Sequence, residues 1–428
     1  MRSRFLATSA LIGSTMIAPT AFAQAPQLSI SGTMTWYLAF LNEDRAPANP
    51  ATGNRLAAQD DSYLTRGWDV RNQSSGSELH FEARGSSDRG WLAGWTYGAR
   101  FDLRPIGNTT SDEAYIYMES DEWGRIHIGN DDGVKENMVS GGESVLAGRG
   151  GFDGVAGVQD NFGSTGALIG PDGLLANDDA RIAYYSPEFD EFGFDMFKFG
   201  ISIAPNPGSI NTGLRNPTDN TPIASIYENS ISWAWEVQHR IEDVDFSIRG
   251  GIQYAQSNRV PLEGSNSFIV PRSGSNDGRI GSTTVENAFL TEIGGTIKYS
   301  DFSFGVGYGD NGESGAPKFR PGTNQSVTDD FYQGGGYWYT VGLAYTIDQH
   351  NVSVGYFGST REIGRQNIRN ADVDSYALVF SADTKLAEGL TGFAELFFTS
   401  VDTNRYTNVP SDHNTDAVLL VVGTSLSF

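Results

Sequence analysis

The chain has no cysteine among its 428 residues, so no disulfide holds it and its stability must come from elsewhere. It has no run of roughly 18 consecutive apolar residues, which excludes a membrane-spanning helix. Basic residues are scarce, 29 Lys and Arg against 52 Asp and Glu, for a formal charge of −23. A surface of that sign repels phosphate backbones, so nucleic acid is not a partner. Histidines number five, and His80, His127, His239, His350 and His413 stand too far apart to share a metal by ligand spacing. Neither a G-x-S-x-G elbow nor a phosphate-binding P-loop is found, and the histidines offer no convergent Ser/His/Asp set. An enzyme is not expected.

What is present begins with a leader. Arg2 and Arg4 precede an apolar stretch through Phe5, Leu11, Ile12, Met16 and Ile17, and Ala21-Phe22-Ala23 reads as a small-residue cleavage site. We expect a signal peptide over residues 1–23 and one mature domain over residues 24–428. Losing the leader's two arginines takes the formal charge from −23 to −25. Mean hydropathy is −0.33 with 39% hydrophobic residues, which suits strands that are apolar on one face only. With 52 glycines, 8 tryptophans and 18 tyrosines, the composition favours an all-β fold.

Alternation is the dominant signal. In residues 91–103 the odd positions are Trp91, Ala93, Trp95, Tyr97, Ala99, Phe101 and Leu103, while the even ones are small or charged except for Leu92. Ile231, Trp233, Trp235 and Val237 alternate with Ser232, Ala234, Glu236 and Gln238 in the same way. A period of two gives a strand with two different environments. Seven short links, such as Ser300–Asp301 and Asp348–Asn351, alternate with eight longer segments, such as Glu43–Ser77, Asn130–Asp179, Ser359–Asp372 and Val401–Thr415. About sixteen strands result, with short turns on one rim and long loops on the other, the layout of an outer-membrane barrel. In lipid the first and last strands must pair, so the strand Ala417–Phe428 is expected to close against Gln27–Phe40. Trp91, Trp95, Trp233, Trp235, Tyr299, Tyr337, Tyr345 and Tyr356 cluster towards strand ends, as an interfacial girdle would.

The terminal Phe428 resembles the C-terminal signal by which bacterial outer-membrane proteins are read by the barrel-assembly machinery. Gly124-Arg125-Ile126-His127-Ile128-Gly129, followed by a long Gly- and Asp-rich loop, resembles the fifth strand and constriction loop of the Gram-negative general porins. Arg181 to Pro187 with Gly193 is similar to their sixth strand and turn, and Leu28-Ser29-Ile30-Ser31-Gly32 fits their first. The resemblance implies a homotrimer of 16-stranded barrels in the outer membrane, among its lipid and lipopolysaccharide, with the third loop folded into the lumen. It implies passive diffusion of small hydrophilic solutes and ions. The long segment Glu43–Ser77 departs from that pattern. A substrate-selective porin, with Tyr115, Tyr117, Tyr185, Trp338 and Phe397 as inward aromatics, and an adhesin acting through its loops are the alternatives.

The loop over residues 130–179 carries the acids Asp131, Asp132, Glu136, Glu143, Asp153 and Asp160. Alternation places Arg84 and Arg100 on the lumen side, opposite the face of Phe81, Ala83, Ala99 and Phe101. The expected constriction therefore sets Glu136, Glu143, Asp153 and Asp160 against Arg84 and Arg100, with a weak cation preference. The doublets Asp131-Asp132 and Asp178-Asp179 offer hard oxygen ligands that suit calcium, and no other cofactor is expected. Gly305-x-Gly307-x-Gly309 reads as barrel glycine and not as a phosphate cradle.

Overall fold

A strand with one apolar and one small or polar face must separate two media, and here it separates the outside of a barrel from its lumen. The computed structural model describes residues 24–44, 66–72, 77–88, 90–104, 110–138, 140–149, 179–190, 193–205, 207, 227–257, 260–261, 282–283, 286–314, 331–365, 368–404 and 415–428. The expected leader lies outside these residues.

The first strands are β1 (Gln24–Asp44), β2 (Arg66–Asn72), β3 (Glu78–Ser87), β4 (Trp95–Arg104), β5 (Thr110–Ser120) and β6 (Gly124–Asp131). A short helix, α1 (Val134–Met138), and a 3-10 turn (Gly142–Val145) follow. Then come β7 (Asp179–Tyr185), β8 (Met196–Ala204), β9 (Tyr227–Ile241) and β10 (Val244–Ser257). The pair β11 (Val260–Pro261) and β12 (Ser282–Thr283) forms a separate small ladder. The rest are β13 (Ala288–Tyr299), β14 (Phe302–Asp310), β15 (Phe331–Ile347), β16 (His350–Arg365), β17 (Ile368–Ala387), β18 (Leu390–Asn404) and β19 (Thr415–Ser427).

Each barrel strand pairs antiparallel with its chain neighbour, and β1 pairs with β19 to close the sheet. The strands β2 and β3 run along the same flank of β1, so the wall is a closed barrel of 16 strands. No helix among the described residues is long and apolar enough to cross a membrane; the strands themselves do so. The expected all-β barrel and its closing pair are therefore found. At the seam, Gly32 and Phe428 exchange two backbone hydrogen bonds of 3.0 Å each.

Burial is inverted relative to a protein with an aqueous exterior. On β9, Ile231 and Trp233 are exposed, while Ser230, Ser232 and Ala234 between them are buried. Leu28, Ile30, Ile116 and Ile293 also face out with more than half their surface free. In water such a band would be an aggregation hazard; in hydrocarbon it is the correct surface. Aromatic rings gather at both ends of it. Tyr299, Phe302 and Tyr345 sit beside one tight turn, and Tyr308 and Tyr337 stack near the other rim, 6.4 Å apart. Trp233, Tyr299 and Tyr337 are exposed as the girdle requires, while the Trp91 side chain lies outside the described residues.

The short links are tight turns. Glu242, Ser300 and Asp348 each take a φ near +53° at the first central position of a two-residue turn, which matches the twist of the flanking strands. Several long loops are shorter than expected. Strands β16 and β17 stay paired up to Arg365 and Ile368, inside the expected loop Ser359–Asp372. Strand β2 lies within Glu43–Ser77, β15 starts at Phe331, and β18 continues to Asn404. Hydrophobic alternation ends at the membrane boundary, whereas backbone pairing does not, so a hairpin can project beyond the point where the pattern stops.

Deleting Phe428 removes both seam bonds and an outward ring at the closing strand. The expected result is a sharp fall in heat-resistant, fast-migrating barrel on unheated denaturing gels. Unchanged yield of the folded form would show that the seam does not depend on this residue.

Candidate functional site

The segment after β6 turns inward and is laid along the inner wall. Val134 and Met138 rest on Gly200 of β8, and Lys135 crosses Gly251 of β10. Ser140 lies against Gly294 of β13, Gly141 against Gly305 and Gly307 of β14, and Gly142 against Gly342 of β15. A Cβ added to Gly294 would land on the Ser140 carbonyl oxygen, and one on Gly342 would meet that of Gly142. These wall positions therefore require glycine for close approach of a second backbone. Here lies the physical reason for Gly305 and Gly307; Gly309 instead lies under the Trp338 indole.

Backbone donors of the segment go to side chains of the wall. The Gly142 N–H donates to the Thr340 hydroxyl at 2.8 Å, Ala147 to Ser353 at 2.8 Å, Gly148 to Asp383 at 2.8 Å and Arg149 to Glu395 at 2.7 Å. At its other end Lys135 is fully buried and pairs with Glu292 at 2.9 Å and with Glu136 at 3.5 Å. From Val134 to Arg149 the loop thus crosses the lumen face of the wall from β8 to β18.

The wall that this segment leaves uncovered, β3 to β6, is charged. Arg84 pairs with Glu119 at 2.5 Å, and Arg125 approaches the same carboxylate at 3.8 Å. Arg100 pairs with Asp102 at 2.6 Å and Glu113 at 3.7 Å, His80 reaches Asp102 at 2.9 Å, and Arg104 meets Glu78 at 3.4 Å. Tyr117 donates to Glu82 at 2.5 Å.

The expected site residues that fall within the described residues can be placed. Arg84 and Arg100 are on the lumen side, as alternation requires, but their partners are acids of their own wall. Among the described residues no ion pair joins them to a loop acid. Glu136 is tucked beside Lys135. Glu143 folds back over Gly141 and accepts a hydrogen bond from Thr340, and burial raises its carboxyl above the ordinary value. Burial likewise lowers the Arg149 guanidinium, partly offset by Glu395 and Tyr37. Asp153, Asp160 and Asp178 lie outside the described residues. Asp131 is held by His127 at 2.5 Å and accepts the Asp132 N–H, and Asp179 sits opposite Asp131 in the register, 3.6 Å from Arg181. Among the described residues no three carboxylate, His or Cys side chains gather as metal ligands do.

All five inward aromatics face the lumen side, yet each is at most 8% exposed. Trp338 and Phe397 belong to an apolar cluster with Phe357, Val379, Leu419 and Val421, against which Leu146 of the loop packs. They pad the loop and present no stacking face to a passing solute. The apolar inner wall of β16 to β19 was a signal within reach: Val418 to Val422 is apolar on both faces, unlike strands that line water. The acids Glu78, Asp102, Glu113 and Glu119 and the pair Lys135–Glu292 were not expected, though strand parity alone places the first four inward.

A family model described as Gram-negative porin matches residues 7–404. Among solved structures, the trimer form of OmpT, an outer membrane protein of Vibrio cholerae, aligns with a TM-score of 0.52 at 14% identity, covering 94% of this chain and 100% of that one. An anion-selective porin from Comamonas acidovorans aligns with 0.51 at 13% identity, over 94% and 100%. OmpF of Salmonella typhi, solved with daunomycin, aligns with 0.53 at 12% identity, over 94% and 98%. At these identities the likeness speaks for the fold. No curated protein sequence matches.

Replacing Gly294 by Val should push the inward segment off the wall, an overpacking cost of about 1–3 kcal/mol, and raise single-channel conductance. Gly392→Ala, where only the flexible tip of Leu386 is near, is the control that should leave conductance unchanged. Lys135→Met leaves Glu292 buried without its cation, a loss of about 3–5 kcal/mol, and should make the open current noisier in bilayer recordings. Quiet, wild-type currents from both Gly294→Val and Lys135→Met would mean that the segment is not held as described.

Proposed function

The chain belongs to the Gram-negative porin family, and from that premise we propose that it forms a water-filled outer-membrane channel for passive diffusion of small hydrophilic solutes and ions, with a weak preference for cations. The observation that carries this reading is the inward segment Val134 to Arg149. It lies along the lumen side of a closed barrel of 16 strands, a size that leaves an aqueous channel for the segment to narrow. Family and fold point to a channel and not to an enzyme.

Cation preference follows from the uncovered wall. Its lumen-side acids Glu78, Glu82, Asp102, Glu113, Glu119 and Asp131 outnumber Arg84, Arg100, Arg104 and Arg125. Most are paired, so the net field is modest, and salt screens it over about 8–10 Å. The loop acids Glu136 and Glu143 would add to it. Three copies would assemble through the face of Ala114, Ile116 and Met118, where Ile116 is 59% exposed. Phe428 would be the contact with the assembly machinery.

Three measurements test this reading. Under a salt gradient the reversal potential should show mild cation preference, reduced in the Glu136→Gln/Glu143→Gln double variant; clear anion preference would refute it. Because burial raises the Glu143 carboxyl, its charge should be lost on acidification at a higher pH than for an ordinary glutamate. The wild type should therefore lose cation preference in a step that Glu143→Gln lacks, and coincident pH profiles would remove Glu143 from the constriction. Mass measurement in mild detergent should give a trimer, and a predominantly monomeric species would count against the proposed assembly.

A further inference from the structure

The short-turn end of the pore holds a cavity of about 730 Å³ lined from β4 to β8 and by Asn137 of α1. Its floor is a stack of rings. His127 lies on Tyr115 with centroids 4.4 Å and planes 11° apart, and Tyr185 stands 5.3 Å from His127. His127 is 6% exposed, gives Nδ1 to Asp131, and has an Nε2 without a hydrogen-bond partner among the described residues. With the proton on Nδ1, that Nε2 is an acceptor.

The charges at the rim come from an irregular hairpin. Ser186 bonds to Phe199 and Phe189 pairs with Phe197, so Pro187 and Glu188 together face the single residue Lys198. Such a bulge re-aims side chains. Both Glu188 and Lys198 line the cavity, yet no ion pair joins them, and neither has another ion-pair partner among the described residues. The Lys198 ammonium stands 5.9 Å from the centre of the Tyr185 ring instead. Of the cavity's other inner acids, Glu119 is matched by Arg125 and Glu113 by Arg100, while Asp131 accepts a hydrogen bond from the neutral His127 ring. Asp121 adds a second acid at the rim.

We propose that this cavity is a subsite for small zwitterionic solutes of the free α-amino acid class, with the solute carboxylate at Lys198 and its ammonium towards Glu188. A simple anion would meet the two rim acids, and a simple cation would meet Lys198. A zwitterion satisfies both signs at once and leaves neither side chain's charge unmatched. The subsite deepens the channel reading and rests on it.

The test uses purified full-length protein in planar bilayers with KCl, adding L-glutamine or an uncharged polyol of similar size. L-glutamine should lower the KCl conductance in a saturable way, and the polyol should lower it only in proportion to viscosity. Lys198→Gln and Glu188→Gln should each weaken the glutamine effect by about threefold, the loss of one exposed charge contact. Lys385→Gln, near the short-turn end of β17 and outside the cavity lining, should leave the effect as it is. A wild-type channel that conducts KCl normally but responds to glutamine as to the polyol overturns the subsite while the channel stands. Equal glutamine responses in wild type and both cavity variants overturn it as well. Protein that folds but conducts no KCl overturns the channel reading, and the subsite with it.

Discussion

A backbone amide in hydrocarbon has no water to turn to, and the rest of this structure depends on meeting that demand. It forces every strand to have two neighbours, so the sheet must close, and closure brings the two ends of the chain together at Gly32 and Phe428. Closure in turn fixes side-chain parity all round the wall: one set faces lipid, the other faces the lumen. The outer set can then be chosen for apolarity alone, and the inner set is released for charge, for padding or for absence of a side chain.

The inner set uses all three options in different sectors. Between β3 and β6 it is a network of arginines and acids that pair along their own wall. Between β16 and β19 it is apolar and covered. From β8 to β15 it is reduced to glycine where the inward segment passes, and the segment's amides are satisfied by wall hydroxyls and carboxylates beyond that. The loop is thus part of the barrel's hydrogen-bond economy, fixed at both ends by groups whose removal would leave buried charge or buried donors unmet.

Much of this could be read from the sequence because a period of two survives noise. Parity put Arg84 and Arg100 on the lumen side and Ile231 and Trp233 on the lipid side, and the turn residues at Ser300–Asp301 gave themselves away by type. What parity cannot give is the partner. Arg100 was expected to face loop acids, yet Asp102, two residues along its own strand, is the nearer carboxylate and the contact needs no long-range fold. Nor does alternation say where pairing stops, since the ladder through Thr360 and Asp374 continues where the apolar pattern has ended. The anchoring of Lys135 by Glu292 joins positions 157 apart in the chain, and nothing local marks either as the other's partner.

The glycine track has a consequence for how such a pore can change over generations. At Gly294 and Gly342 even a methyl group collides with backbone, so the bore cannot be adjusted there by small steps in side-chain size. The route open to gradual adaptation is the facing sector of arginines and acids, where side chains are partly free and can be exchanged singly. Selectivity can drift in this lineage while the position of the inward strap stays fixed.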